Sequence, residues 1–293
     1  MPPEMEARQD ARVMDTRVVD EAKLQAFVEK AVGEFGVAMS AALVSLGDRL
    51  GFFKAMAHAG PLWPKELAAK TGTGERLVRE WLVNQAASGN VEYDASSGKF
   101  VLPQEHALAL ADDASPYFVA GGYQIVTALV KAEERIAASF RNGGGMFWGE
   151  HDDGLFEGTE RFFRPNYVAN LVSSWIPALD GVDEKLKTGA IVADVGCGHG
   201  ASTVLMARAF PKSRFFGFDN HAPSIGHARR SADEAGLFTQ VTFEVAPAAS
   251  FPGHRYDLIT FFDCLHDMGD PLAALRHAHE ALAADGTVML VEP

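Results

Sequence analysis

The residues with the clearest chemical potential are Asp194-Val-Gly-Cys-Gly-His-Gly200, which follow the apolar run Ala190-Ile-Val-Ala193. Glycine turns where other residues strain and lets a ligand approach the backbone, so the segment reads as a strand, a tight turn and a helix start. Gly196 and Gly198 suit the turn and the close approach, while Gly200 lets the next helix pack near the strand. Asp219 stands 23 positions after Gly196, at the end of a second apolar stretch, where a carboxylate can accept from ribose hydroxyls. It can also cap the helix that starts near Ala222, although Asn220 or Ser224 would serve equally. The pair describes a nucleotide-type crevice. Asp194 narrows the ligand, because a carboxylate two residues before the first glycine would repel a pyrophosphate in a partly dry site. S-adenosylmethionine suits it better, having a cationic amino group, a cationic sulfonium and no phosphate. Cys197 reads as a small turn residue, with no histidine arranged in sequence to activate it.

Such a crevice needs a sheet to hold it. From Gly189 onward strands and helices alternate, which calls for a parallel, doubly wound sheet covered on both faces. Strands are predicted near Ile191 to Val195, Arg214 to Asp219, Val241 to Val245, Asp257 to Phe262 and Thr287 to Val291, with helices beginning near Ala201, Ala222 and Pro271. In this architecture the carboxyl ends of the strands face the ligand. Phe262-Asp-Cys-Leu-His-Asp-Met-Gly-Asp270 therefore falls beside the glycine turn. Asp270 and Pro271 also form a good N-cap and first-turn pair for a helix from Leu272 to Leu282, and His266 can simply brace that turn.

Upstream, Leu24, Phe27, Val28 and Val32, then Ala42, Leu43, Leu46, Leu50 and Phe53, recur at helical spacing and predict two helices between Glu21 and about Ala59. Pro64 to Ala69 and Glu75 to Val83 flank the turn Thr71-Gly-Thr-Gly74. Val91 to Asp94 and Lys99 to Leu102 then flank Ser96-Ser-Gly98 as a hairpin. Together these predict a winged helix. The pattern is helical again from Pro116 to about Phe140, and Asn142 to Gly149 is a glycine-rich aromatic connector that marks a domain boundary. A further amphipathic helix is expected across Leu171 to Leu179, kinked at Pro177. Met146, Phe147, Trp148, His151, Phe162, Phe163 and Tyr167 form an aromatic group that either lines an acceptor site, closes over the cofactor or packs domains together.

Composition sets the outer bounds. The chain has 293 residues, 47% of them hydrophobic, enough for two ordinary domains. Its formal charge of -13 argues against nucleic acid as a partner, since a phosphate backbone is bound by neutralising lysines and arginines. The two cysteines, Cys197 and Cys264, lack both CxxC spacing and a disulfide framework, which makes a reducing cytoplasm the natural compartment. Residues 1–20 are polar, lack the apolar core of a signal peptide, and read as a disordered tail. The longest apolar region, Phe35 to Phe53, is broken by Asp48 and Arg49, so no membrane span is expected. His277 and His279 lack a matching set of metal ligands, and no metal site is expected.

The carboxy-terminal hundred residues resemble class I S-adenosylmethionine-dependent methyltransferases. Ala193-Asp-Val-Gly-Cys-Gly-His-Gly200 is similar to that family's first motif, and Gly217-Phe-Asp219 to its acidic second strand. With a winged helix in front, the chain resembles the dimeric small-molecule O-methyltransferases. It is closer still to a group of actinobacterial predicted methyltransferases of the same layout, some of them labelled transcriptional regulators. The resemblance implies S-adenosyl-L-methionine as cofactor and S-adenosyl-L-homocysteine as product. The cofactor-binding candidates are Asp194, Gly196, Cys197, Gly198, Gly200, Asp219, Asn220, Ala246, Pro247, Asp263 and Tyr167. Where relatives carry an acid for the adenine amino group, this chain has Glu244-Val-Ala-Pro-Ala-Ala249, so backbone around Ala246 to Ala248 is expected to make that contact. The family sheet continues past its fifth strand with a helix and a hairpin, whereas this sequence stops at Glu292-Pro293. A shortened chain is expected, without the acid that orients the histidine in plant-type relatives.

The resemblance also implies that His266 is a general base, with Asp267 as its orienting partner. An imidazole with an ordinary pKa of about 6.5 can take an acceptor's hydroxyl proton during an in-line displacement. In the winged helix, from Pro61 to Gln104, Lys65, Lys70, Arg76, Arg79 and Lys99 are balanced by Glu66, Glu75, Glu80, Glu92 and Asp94. A DNA reader would be basic there, and Leu77, Val78, Trp81 and Leu82 on its second helix suit burial. The resemblance assigns this domain to dimerisation. The expected layout is a tail (1–20), a winged-helix dimerisation domain (21–110), a helical connector and cofactor or substrate cover (111–185) and a Rossmann-like cofactor domain (186–293). The expected activity is S-adenosylmethionine-dependent methyl transfer to a small, largely apolar acceptor, at oxygen, by a homodimer. Two alternatives remain open: a winged-helix DNA-binding regulator with a cofactor-sensing domain, and a cofactor-binding protein without catalysis.

Overall fold

The computed structural model describes residues 19–292, in two compact units, 1–39 and 40–293. Most of the tail expected at residues 1–20 lies outside the described residues. The first unit holds the start of helix α1 (Glu21–Arg49), where Asp20 Oδ1 accepts from the Lys23 amide at 3.1 Å and so caps the first turn. Leu24, Phe27, Val32 and Phe35 of this unit are exposed. No helix among the described residues is long and apolar enough to cross a membrane.

The second unit begins with the winged helix that the glycine and proline punctuation predicts. Helices α2 (Phe52–Met56), α3 (Pro64–Thr71) and α4 (Glu75–Ala87) precede strands β1 (Glu92–Asp94) and β2 (Lys99–Val101), which pair antiparallel. Pro64 opens α3, the Trp63 amide donates to the Glu66 carboxylate at 2.8 Å, and Gly72, at φ 67°, closes the helix in the left-handed conformation. Val78, Trp81 and Leu82 of α4 are buried as expected, while Leu77 is exposed. Trp81 centres this core. Its indole Nε1 donates to the Leu43 carbonyl at 2.8 Å, and its ring packs edge-on to Phe52 at 4.8 Å.

Four helices follow: α5 (Gln104–Leu110), α6 (Ala120–Lys131), α7 (Glu133–Asn142) and α8 (Asp153–Asn170). Asp152 caps α8 by accepting from the Gly154 amide. Helices α6 and α8 meet through glycines. A Cβ on Gly121 would lie 2.7 Å from the Gly158 carbonyl, which excludes a side chain there, and one on Gly158 would lie 3.0 Å from the Ile125 amide and fit only if the α6 backbone gave way. The separate helix expected across Leu171 to Leu179 is instead the end of α8. Leu171–Trp175 form a wide π turn and Ile176–Ala178 a 3-10 turn, because Pro177 lacks the N–H that a continuing α-helix requires.

After α9 (Val182–Thr188), strands β3 (Ile191–Val195), β4 (Arg214–Asp219), β5 (Val241–Val245), β6 (Tyr256–Phe262) and β7 (Leu282–Val291) alternate with α10 (Ala201–Ala209), α11 (Ala222–Glu234) and α12 (Pro271–Ala281). All four strand pairs are parallel, in the order β5-β4-β3-β6-β7. The order reverses between β3 and β6, which makes their carboxyl ends the natural ligand crevice. Alternate residues serve opposite faces. Val192, Phe215 and Leu258 join one core cluster, and Ala193, Phe218 and Ile259 the other. β7 starts earlier than expected because its register on β6 shifts between Tyr256 and Leu258.

Trp81→Ala removes the ring at the centre of the winged-helix core and the partner of the Leu43 carbonyl. Urea denaturation should show a loss of about 3–5 kcal/mol; a loss below about 1 kcal/mol would contradict this packing.

Candidate functional site

The turn after β3 is built as the glycines foretell. Gly196, Gly198 and Gly200 have φ of 73°, 51° and 80°, in the left-handed region that favours glycine. The amides of Gly196 and Cys197 both donate to the Phe218 carbonyl, at 2.7 and 3.1 Å. Asp219 fastens the loop from the other side. Its Oδ2 accepts from the Gly198 amide at 2.9 Å and its Oδ1 from the His221 amide at 2.8 Å. A Cβ on Gly196 would lie 2.6 Å from Cys264 Sγ, and one on Gly200 would lie 3.0 Å from Ala228 Cβ, so two elements close on the loop. Cys197 and Cys264 are unpaired, and burial pushes both thiols well above their ordinary range, which removes their nucleophilic form.

Asp194 occupies a different place from its neighbours. It is 1% exposed and accepts three hydroxyl hydrogen bonds, from Ser202 Oγ at 2.7 Å, Thr203 Oγ1 at 2.5 Å and Thr260 Oγ1 at 2.9 Å. Burial pushes its carboxyl above the ordinary range against the pull of these donors. The carboxylate sits beneath the loop and joins β3 to α10 and β6; it is not on the wall of the crevice.

Above the loop opens a cavity of about 680 Å³. Of the sequence candidates, Gly196, Cys197, Gly198, Asp219, Asn220, Ala246, Pro247, Asp263, Tyr167 and Asp267 line it, while Gly200, Asp194 and His266 do not. From the aromatic group it takes Met146, Phe147, Trp148, Phe163 and Tyr167, but not His151 or Phe162. Tyr167 donates from its hydroxyl to Asp263 Oδ2 at 2.8 Å. Burial, reinforced by the Asp263 carboxylate, holds that hydroxyl far above its ordinary pKa, so it stays a donor. Burial likewise raises the Asp263 carboxyl despite the bond from Tyr167, and Asp263 has φ 50° without being glycine. Phe156 also lines the cavity and stacks on His221 with centroids 4.2 Å apart. Phe156, Glu160, Phe163 and Tyr167 are spaced by four, three and four residues. That one-face period could have found Phe156 and Glu160 in the sequence.

His266 stands in a 3-10 turn (Leu265–Asp267) at the rim, with its side chain 44% exposed. Its Nδ1 contacts Glu292 Oε2 closely, while its Nε2 lies 3.5 Å from Asp267 Oδ2. Glu292 Oε1 also accepts from the Leu265 amide at 2.9 Å. An acid does stand directly after β7, where none was expected: Glu292 meets Nδ1 of His266, and Asp267 faces the opposite nitrogen. The Glu292 hydrogen bond raises the His266 pKa, burial opposes it, and Asp267 adds to it. Asp270 does cap α12, accepting from the Ala273 amide at 2.9 Å.

Comparison with known proteins accords with this geometry. Residues 38–112 match the model of an Rv2258c-like winged HTH domain, and residues 186–293 match that of a methyltransferase domain. The chain therefore joins a winged HTH domain to a methyltransferase domain. Its fold is similar to that of mitomycin 7-O-methyltransferase, with a TM-score of 0.69 and 22% identity, over 92% of this chain and 81% of that one. It is also similar to a methyltransferase of calicheamicin biosynthesis in its SAH-bound form, with a TM-score of 0.63 and 22% identity, over 93% and 80% of the two chains. The ubiquinone biosynthesis O-methyltransferase of Actinobacillus pleuropneumoniae serotype 7 is 29% identical over 133 residues, 43% of this chain and 54% of the relative. The chain spans about half the length of the curated relatives it matches.

Asp194→Ala leaves the Thr203 hydroxyl without its acceptor, Thr260 with only the 3.4 Å contact to the Ala193 carbonyl, and Ser202 to turn to the cavity, at a cost of about 1–3 kcal/mol for each hydroxyl left unpaired. Thermal or urea unfolding should show a loss of at least about 2 kcal/mol, and a neutral result would mean that the loop does not depend on this carboxylate.

Proposed function

We propose that this chain, a winged HTH domain joined to a methyltransferase domain, transfers a methyl group from S-adenosylmethionine to an oxygen of a small, largely apolar acceptor. The observation that carries this reading is the sign of the cavity. Its described wall bears Glu160, Asp219, Asp263, Asp267 and Asp270 and no lysine or arginine. A phosphate would find no counter-charge there, whereas a cationic ligand would. The volume of about 680 Å³ falls within the range of small-molecule sites. When bound, S-adenosylmethionine supplies an electrophilic methyl group on a sulfonium centre.

The chain's own residues then divide the remaining tasks. Asp219 holds the ribose hydroxyls, with Asn220 beside it and the backbone at Ala246 and Pro247 toward the base. Asp263, steadied by Tyr167, meets the cationic amino group. Met146, Phe147, Trp148, Phe156, Phe163 and Met268 form an apolar wall that orients the acceptor and keeps water out. Glu292 keeps the proton of His266 on Nδ1, which leaves Nε2 to take the acceptor's proton at the rim. Asp267 then lies beside the new charge.

Homodimerisation through the amino-terminal domain completes the proposal. The exposed Leu24, Phe27, Val32 and Phe35 favour it, as does the even charge balance of the winged helix. The unpaired Cys197 and Cys264 suit a reducing cytoplasm.

Calorimetry should find one S-adenosylmethionine site per chain, with affinity lowered at least about tenfold in Asp219→Ala, equivalent to the loss of about 1.4 kcal/mol. No heat from either S-adenosylmethionine or its demethylated product would end this reading.

The base assignment has its own test. His266 must be neutral to accept a proton and Glu292 raises its pKa, so turnover should rise with pH through a midpoint above about 6.5. Glu292→Gln should move that midpoint down, and His266→Ala should lower kcat by about a hundredfold. An unchanged kcat in His266→Ala would remove His266 from the chemistry.

A further inference from the structure

His199 enters the sequence reading only as a member of the glycine turn, and His227 not at all. The fold gives both new company. Glu160 reaches from α8, His199 from the glycine turn and His227 from α11, and one metal-ligating atom of each lies within 4.8 Å of the other two. His199 Nδ1 is 2.9 Å from Glu160 Oε2, and the two imidazoles stack with centroids 4.0 Å apart. All three residues are partly buried. We propose that Glu160, His199 and His227 form a binding site for one divalent transition-metal ion of the zinc type, which when bound pins α8 to the glycine turn.

The donor set decides the class of ion. Two imidazole nitrogens and one carboxylate oxygen suit zinc and its transition-metal neighbours, whereas magnesium and calcium prefer oxygen alone. Two imidazoles stacked at 4.0 Å repel one another if both are protonated, which favours a neutral partner with a lone pair to offer. A metal requires the imidazoles neutral and the carboxylate ionised, so its binding competes with protons. Ser231 Oγ lies 3.5 Å from His227 Nδ1, a second contact on the ring of the kind that orients a metal-ligating imidazole. A tetrahedral ion at 2.0–2.1 Å sets its ligands about 3.3 Å apart and lies in the plane of each imidazole, so one of the two stacked rings turns out of the stack when the ion binds.

Three protein ligands leave one position open for water or a small ligand. Glu160 and His199 both lie on the cavity wall, and α8 carries Phe156, Phe163 and Tyr167 over it, so an ion here would stiffen the cover of the cavity. The site stands on its own geometry and does not depend on the methyl-transfer reading.

Tag-free full-length protein, stripped with a chelator, should be titrated with Co²⁺ and with Zn²⁺ in competition with an indicator. Wild type should bind one equivalent, with the intense visible bands of four-coordinate Co²⁺ displaced by Zn²⁺, and Zn²⁺ should raise its Tm. His227→Ala and Glu160→Gln should each weaken Zn²⁺ binding at least tenfold and lose the Tm rise, and millimolar Mg²⁺ should not compete. Wild type that shows no saturable Co²⁺ or Zn²⁺ binding would overturn the proposal, whatever the fate of the variants. Folded variants that bind as wild type does would overturn it too, placing the ion elsewhere, for instance at His277 and His279.

Discussion

Asp194 carries its charge into the enclosed end of β3, where water cannot reach it, and the glycine turn takes its shape from how that charge is satisfied. Three hydroxyls converge on it, Ser202 and Thr203 from the first turns of α10 and Thr260 from β6. An ionised group buried without such donors would cost several kcal/mol. With them it becomes a three-way joint. The helix that starts at Ala201 cannot slide, the adjacent strand cannot change register, and the backbone between them must turn through three left-handed glycines. Asp219 repeats the device one layer out, where its carboxylate binds two loop amides and still faces the cavity.

The cover of the cavity rests on a different principle. Helix α8 is placed by close backbone approach to α6 at Gly121 and Gly158, flanked by the hydrogen bonds of Gln124 to Glu157 and Arg161. Close approach fixes both the height and the rotation of α8, and so decides that Phe156, Glu160, Phe163 and Tyr167 all look toward the crevice. Tyr167 then reaches Asp263 at the end of β6, so one hydrogen bond joins the cover to the floor.

Much of this was legible in the residues themselves. Glycine and proline punctuation marked the winged helix, and the apolar runs placed all five parallel strands, because a buried parallel strand must be apolar throughout. Asp219, Gly196 and Gly198 declared themselves by spacing along a single βαβ unit. What stayed hidden depended on contacts far apart in the chain. Glu292 meets His266 across 26 residues, and Glu160 meets His199 across 39, distances that no local period encodes. Asp194 shows the opposite failure. Its position in the motif was plain, but whether its carboxylate faces the ligand or the core depends on Thr260, a residue of another strand. The misplaced helix after Asn170 came from reading an apolar spacing of four as a new α-helix, when a π turn carries the same face round a proline.

The glycine contact between α6 and α8 also constrains how such a chain can change. Side chains on the inner face of α8 can be exchanged one at a time, reshaping the cavity wall while the helix stays in place. A single residue inserted between Gly158 and Tyr167 is another matter: each residue turns an α-helix by about 100°, so Tyr167 would swing away from Asp263 and the aromatic wall would be split. Diversity in what this cavity accepts is therefore open to substitution and closed to changes of length along that stretch.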